Sequence, residues 1–260
     1  MEVGMRRKVM VRAVLMLSLL LILAGQTWAQ TLRVNRNAPG PAHDGLTWET
    51  AFLTVQAAIN AASSGDEVWV AEAIYPENLA LKNEVAVYGG FLNTMTQRDQ
   101  RNWTAHETIV DGSLSGSVVT IVGCPSPLTR LDGFTLMNGN GTYNSEEGYP
   151  CGGGVYVMSS SPTLANNRIT GCNVPYSGGG IAAFYSPSMT ISANTISENR
   201  SLNGTGFYLS RCDNVQASGN IIDNNIGSGI YMHYVSGSVY ANTITGNNNS
   251  GGYGGGIAFF

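Results

Sequence analysis

Charge is scarce in this chain: only 12% of its 260 residues are Asp, Glu, Lys or Arg, about half the share of an ordinary globular domain. Thirteen basic residues against seventeen acidic ones leave a net charge of −4. A phosphate backbone needs a basic surface, so nucleic acid is excluded as a partner. Cysteine is also sparse, with Cys124, Cys151, Cys172 and Cys212 the full set. No CxxC pair or neighbouring His accompanies them, so no metal site is expected. No apolar run reaches the ~20 residues that cross a bilayer, and no transmembrane helix is expected in the mature chain. The longest run, from Ala13 to Gly25, spans thirteen positions. It follows the basic residues Arg6, Arg7, Lys8 and Arg12 and precedes Thr27-Trp28-Ala29. Residues 1–29 therefore read as an export signal cut before Gln30, which places the mature protein outside the cell, in a periplasm or on the cell surface.

With so few charges, the polar surface has to consist of Asn, Ser, Thr and Gly. Such a surface suits neutral hydrogen-bonding partners such as sugars, and a stacked β structure produces it equally well with no ligand.

What the chain has in abundance is repetition. Gly152-Gly153-Gly154-Val155, Gly178-Gly179-Gly180-Ile181, Gly204-Thr205-Gly206-Phe207, Gly227-Ser228-Gly229-Ile230 and Gly254-Gly255-Gly256-Ile257 recur at steps of 26, 26, 23 and 27 residues. Between them stand Asn167-Arg168-Ile169, Asn194-Thr195-Ile196, Asn220-Ile221-Ile222 and Asn242-Thr243-Ile244. A period in the twenties built from short β-type runs indicates a solenoid whose rungs have no core of their own. Registered on Ile169, Ile196, Ile222 and Ile244, the repeats place one Asn two residues earlier and a second at Asn199, Asn225 and Asn247, with Cys172 in the equivalent place of the first. Stacked as parallel strands ~4.8 Å apart, such repeats put like over like. The Ile, Val and Leu columns then fill the interior, and the Asn columns hydrogen-bond amide to amide at the corners. Asn and Gly also tolerate the left-handed backbone that a sharp corner demands.

Upstream the pattern is looser. Ile109 and Leu136 lie 27 residues apart, which reads as one rung, and residues 140–151 are an insertion before a Gly strand. About seven rungs are expected over residues 67–260. Residues 30–66 form a separate N-terminal segment, in which Phe52, Val55, Ile59 and Ala62 recur at helical spacing before Gly65. A helix there would cover the open end of the stack and protect its edge. No counterpart is visible at the other end, where the sequence stops inside a strand at Phe260, so a longer protein is expected. An even number of cysteines in an exported chain permits disulfides. Cys151 and Cys172 precede the Gly strands of successive repeats and are the expected pair; four small buried thiols are the alternative.

The run Trp48, Ala51-Phe52, Val55-Gln56-Ala57-Ala58-Ile59, Gly65-Asp66-Glu67-Val68-Trp69-Val70-Ala71 and Tyr75-Pro76-Glu77, with Tyr88-Gly89-Gly90-Phe91, Arg101-Asn102-Trp103 and Ile109-Val110-Asp111-Gly112, resembles the N-terminal part of bacterial right-handed parallel β-helix repeat proteins of the pectin-lyase-like group. The Gly-Gly-Gly-Ile rungs also resemble repeats of chlamydial polymorphic outer-membrane proteins. The resemblance implies an all-β, right-handed parallel β-helix with a short N-terminal capping α-helix. It also implies a group that holds polysaccharide lyases, hydrolases and epimerases alongside surface proteins without a known reaction. Lyases of this fold use Ca²⁺ on clustered carboxylates with an Arg or Lys base, so Ca²⁺ is the cofactor expected of a lyase and none otherwise.

The residues offer that chemistry only thinly. Asp132, Asp213 and Asp223 fall one per rung in different columns, with Arg168, Arg200 and Arg211 nearby. Asp213, Asp223, Arg211 and His233 are the catalytic candidates, and Glu146 and Glu147 in the insertion are the carboxylate pair a hydrolase would want. Asp223 and His233 also read simply as outward polar residues, and the two glutamates as a solvated loop. Tyr185, Tyr208 and Tyr231, with Tyr240, could form an aromatic track for sugars, or pack on the β surface as large aromatics do. The leading expectation is an exported structural or binding module that contacts glycans. The alternatives are a carbohydrate-active enzyme and an adhesin-like secreted passenger.

Overall fold

A computed structural model describes residues 29–249 and 255–260. Apart from Ala29, the expected export signal lies outside these residues. Each full turn of the coil lays down up to three short strands, and these stack into three columns of parallel pairs. The first column contains Leu79–Ala80, Val119–Val122, Val155–Met158, Ile181–Phe184, the starts of Phe207–Ser218 and Ile230–Tyr240, and Ile257–Phe259. The second runs from Thr31–Val34 through Glu67–Ala71, Ala86–Phe91, Arg130–Asp132, Thr163–Ala165 and Met189–Ser192 to the ends of the same two long strands. The third is a seven-stranded sheet from Ala73–Tyr75 to Thr243–Thr245. The first two columns join into one sheet because Phe207–Ser218 and Ile230–Tyr240 run on through the corner, with a register shift between Cys212 and Val215.

The third column stacks Tyr75, Val110, Leu136, Ile169, Ile196, Ile222 and Ile244 in file. All but the terminal Ile244 are buried in the main core. Each such side chain removed from water contributes roughly 1.5–3 kcal/mol. One expected pairing is corrected: Val110, not Ile109, faces Leu136, and Ile109 faces Thr135. A slip of one residue turns a side chain to the other face of a strand, and Ile109 is accordingly left partly exposed.

The corners carry two asparagine ladders. The Asn167 backbone N–H and side-chain amide both donate to Asn194 Oδ1, at 3.0 and 3.1 Å. Asn194 does the same to Asn220 at 3.0 and 3.0 Å, and Asn220 to Asn242 at 2.9 and 2.8 Å. Asn199, Asn225 and Asn247 repeat the arrangement, and the Cys172 N–H donates into its first step. The left-handed residue at each corner is not the ladder asparagine but the one before it. Asn166, Ala193 and Ala241 stand at φ 55°, 54° and 52°, and Gly219 at 65°. The ladder residues stay extended enough to reach up and down the stack, while their neighbours make the turn.

The helix at Val55–Ala61 buries Val55, Ala58 and Ile59 against the first coil. Thr54 caps it, accepting from the Ala57 N–H at 3.3 Å. The Glu77 carboxylate accepts from the free N–H groups of Val55 and Gln56 at 2.9 and 3.0 Å, which also sets a negative charge at the positive end of the helix dipole. At the other end Lys82 Nζ donates to the Ala62 carbonyl at 2.5 Å.

Replacing Asn194 by Ala leaves the Asn167 N–H without its acceptor in the interior and removes the side-chain donor to the Leu164 carbonyl. The expected loss in a urea unfolding curve is about 2–3 kcal/mol. Ala193→Gly relieves a left-handed alanine and should gain about 1 kcal/mol. Equal, small effects at the two positions would contradict the ladder.

Candidate functional site

Successive residues of the first column alternate between core and exterior, so Tyr156, Phe184, Tyr208 and Tyr231 all face outward from neighbouring rungs. Ring centroids follow at 5.7 Å for Tyr156–Phe184, 5.7 Å for Phe184–Tyr208, 5.1 Å for Tyr208–Tyr231 and 5.0 Å for Tyr231–Phe260. The insertion folds over this face as a hairpin, Thr142–Asn144 antiparallel to Tyr149–Cys151. Its turn is set by Asn144, whose Oδ1 accepts from the Glu146 and Glu147 N–H groups at 2.9 and 3.1 Å.

That turn aims both glutamates at tyrosine hydroxyls. Glu146 accepts from Tyr185 and lies 3.7 Å from the Arg211 guanidinium, which in turn donates to the Tyr185 oxygen at 2.7 Å. Glu147 accepts from Tyr149 at 2.8 Å and from Tyr208 at 3.5 Å, while Asn144 reaches the Tyr156 oxygen at 3.2 Å. Burial pushes the Tyr149 phenol up to about 12 and raises Tyr156 and Tyr208 in the same direction. Tyr185 is raised by its hydrogen bond to Glu146. These phenols are therefore protonated donors at neutral pH.

Several expected candidates thus meet on one face, and others do not. Tyr185, Tyr208, Tyr231 and Arg211 come together with Glu146 and Glu147. Tyr208 is only 6% exposed, because the hairpin and its neighbours cover it, so its ring offers no open platform for a sugar. Tyr240 pairs with Ser218 in the second column and is not part of the stack. His233 follows on the outer face with its ring 4.3 Å from Tyr234. Asp213 sits at the corner between the first two columns, accepting from Ser236 at 3.1 Å, and Asp223 lies in the third column beside Asn224.

Asp132 is buried and held by Arg101 at 2.7 Å and Arg130 at 2.6 Å. The residues present therefore do not fit Ca²⁺: the three aspartates occupy separate places, and among the described residues no three His, Cys, Asp or Glu side chains converge.

The expected Cys151–Cys172 bridge is not formed, and all four cysteines are buried thiols. Cys151 stacks on Ser177 and packs with the outer tyrosines, whereas Cys172 stacks on Asn199 and lies in the main core. The two belong to different columns, so adjacent rungs do not bring them together.

Residues 100–259 match the family model described as a right-handed beta helix region. The chain belongs to this right-handed β-helix family. Comparisons with curated proteins and with solved structures return no match. In this β-helix two elements break the repeat, residues 92–107 and the hairpin, and both carry polar and aromatic side chains at the surface. The sequence drew attention to the hairpin glutamates as candidate carboxylates, whereas Arg101-Asn102-Trp103 stood out only within the family resemblance, because the Gly133 against which Trp103 packs belongs to a later rung.

A thiol reagent should label no cysteine in the native β-helix and four after denaturation; two after denaturation would restore the bridge. Burial pushes the Cys151 and Cys172 thiols up to about 12 from the ordinary 9. Below pH 9 both states keep the protons and the stabilisation is complete. From pH 9 towards 12 only the unfolded chain ionises, so stability should fall with rising pH. Denaturant midpoints that stay flat from pH 8 to 11 would contradict this.

Proposed function

We propose that the chain is an exported β-helix acting at the cell surface or outside the cell as a structural and binding module that contacts glycans. The observation that carries this reading is the engagement of both outward glutamates. Glu146 is held by Tyr185 and Arg211, and Glu147 by Tyr149 and Tyr208. A glycosidase needs two carboxylates free to reach opposite sides of a sugar bond, and a lyase of this fold needs carboxylates gathered for a cation. Both demands go unmet by a latch in which carboxylates anchor a hairpin. The low charge, the Asn, Ser and Thr surface and the exposed aromatics Tyr234 and Trp103 suit hydrogen bonding and ring stacking on saccharides. Export is supported by the basic and apolar pattern of residues 1–29.

Two measurements test the proposal. Full-length expression followed by N-terminal sequencing of the secreted protein should begin at Gln30. The secreted protein should bind a glycan array without converting it. Release of unsaturated uronate in the presence of Ca²⁺, abolished by a chelator, would overturn the binding reading in favour of a lyase.

A further inference from the structure

Residues 92–107 leave the coil between Ala86–Phe91 and Thr108–Asp111 and carry Arg101-Asn102-Trp103, which the tyrosine face leaves unused. The wall is shaped to receive them. Gly90 and Gly133 stand at φ 91° and 83°, where side chains are disfavoured. A Cβ at Gly90 would fall 2.7 Å from the Trp103 backbone, and one at Gly133 would fall 2.8 Å from Arg101 Nη1 and 3.1 Å from Trp103 Cβ. The Asn102 N–H donates to the Gly90 carbonyl at 2.8 Å. Arg101 is fixed by Asp132 and lies 4.7 Å from the Trp103 ring. The indole is therefore held rigidly, yet it remains 38% exposed.

Two clefts share this indole as a wall. One, of about 620 Å³, is lined by Glu67, Gln97, Arg98, Asp99 and Arg101 as well as Trp103. The other, of about 330 Å³, includes Glu107, Thr135, Asn166, Arg168 and Thr195. In the first cleft two guanidinium groups stand against two carboxylates, and Arg98 and Glu67 form an ion pair. In the second, Arg168 stands against Glu107. Neither cleft has an excess of either sign, so neither is built for a phosphate or a run of carboxylates. Each offers fixed donors and acceptors around one aromatic surface, the pattern that sorts hydroxyl groups while the ring packs on the C–H side of a sugar.

We propose that Trp103 is the platform of a binding site for a neutral oligosaccharide that crosses the indole from one cleft into the other. This inference rests on the glycan-contact reading and gives it a place and a ligand class. It lies on the second column, the corner beyond it and the first residues of the third column, away from the tyrosine face.

The test is calorimetric titration of the purified chain with neutral cello-, xylo-, manno-, malto- and chito-oligosaccharides of two to six units, and with oligogalacturonides as the charged arm. At least one neutral series should bind, more tightly as it lengthens from two to four units. Trp103→Ala should weaken that binding by about tenfold or more, and Trp103→Tyr should restore most of it. Thr195→Trp, which fills the second cleft without touching the indole's seat, should abolish the gain with chain length. Leu114→Ala, at an exposed side chain that lines neither cleft, should leave binding unchanged. If Trp103→Ala does not fold, Arg98→Ala and Thr195→Trp carry the same test from both sides. Neutral binding that survives these substitutions would overturn the site while leaving glycan contact intact. Binding only to oligogalacturonides would overturn the ligand class. Failure of every saccharide to bind would overturn the glycan reading itself.

Discussion

A rung of this protein has nothing to fold around until another lies on it. Each short strand contributes a single inward side chain or two, and its backbone groups are satisfied only by the coil above and the coil below. The consequence is a rule of vertical likeness: isoleucine over isoleucine inside, asparagine over asparagine at the corners. The asparagine ladders show why the rule is strict. Asn167, Asn194, Asn199, Asn220 and Asn225 are buried, and a buried amide without its partner costs more than a made hydrogen bond returns. Only Asn has the length and the paired donor and acceptor to serve the rung on both sides. The helix Val55–Ala61 belongs to the same problem, since it covers the first coil among the described residues.

Vertical likeness is also why so much of the fold was legible. Glycine, asparagine and isoleucine recur in the chain because they are stacked in space, so aligning the repeats amounted to reading the columns. Legibility faded where stacking did. Around Ile109 there is no Gly cassette to set the phase, and the register was misread by one residue. Cys151 and Cys172 look equivalent by their distance from the Gly strand, but one stands in file with Ser177 and Asn203 and the other at the head of an asparagine ladder. The covering of Tyr208 could not be foreseen, because the hairpin over it has no counterpart in other rungs. The seat of Trp103 was hidden for a similar reason: Arg101 finds its partner Asp132 thirty-one residues later.

Chemistry in this molecule therefore belongs to the departures from the repeat. The stacked wall is rigid, nearly uncharged and repetitive, and it presents the two excursions as fixed relief. One excursion is latched onto the wall by carboxylates and phenols, which accounts for the glutamates that a catalytic reading would have claimed. The other holds an open indole between two neutral clefts. The apolar core is filled by the stacked strands and not by the excursions.

The claim beneath all of this is the register of the columns, and oxidative cross-linking measures it directly. Thr195 and Ile221 are partners on adjacent rungs of the third column, whereas Asp223 lies two residues farther along the same strand as Ile221. In-register parallel neighbours are ~4.8 Å apart, within the Cα separation that a disulfide accepts, and the offset pair exceeds it. The double variant Thr195→Cys with Ile221→Cys should close a bridge on mild oxidation, identified by peptide mapping, while Thr195→Cys with Asp223→Cys should not. Bridging of the offset pair with none in the aligned pair would contradict the stacked coil.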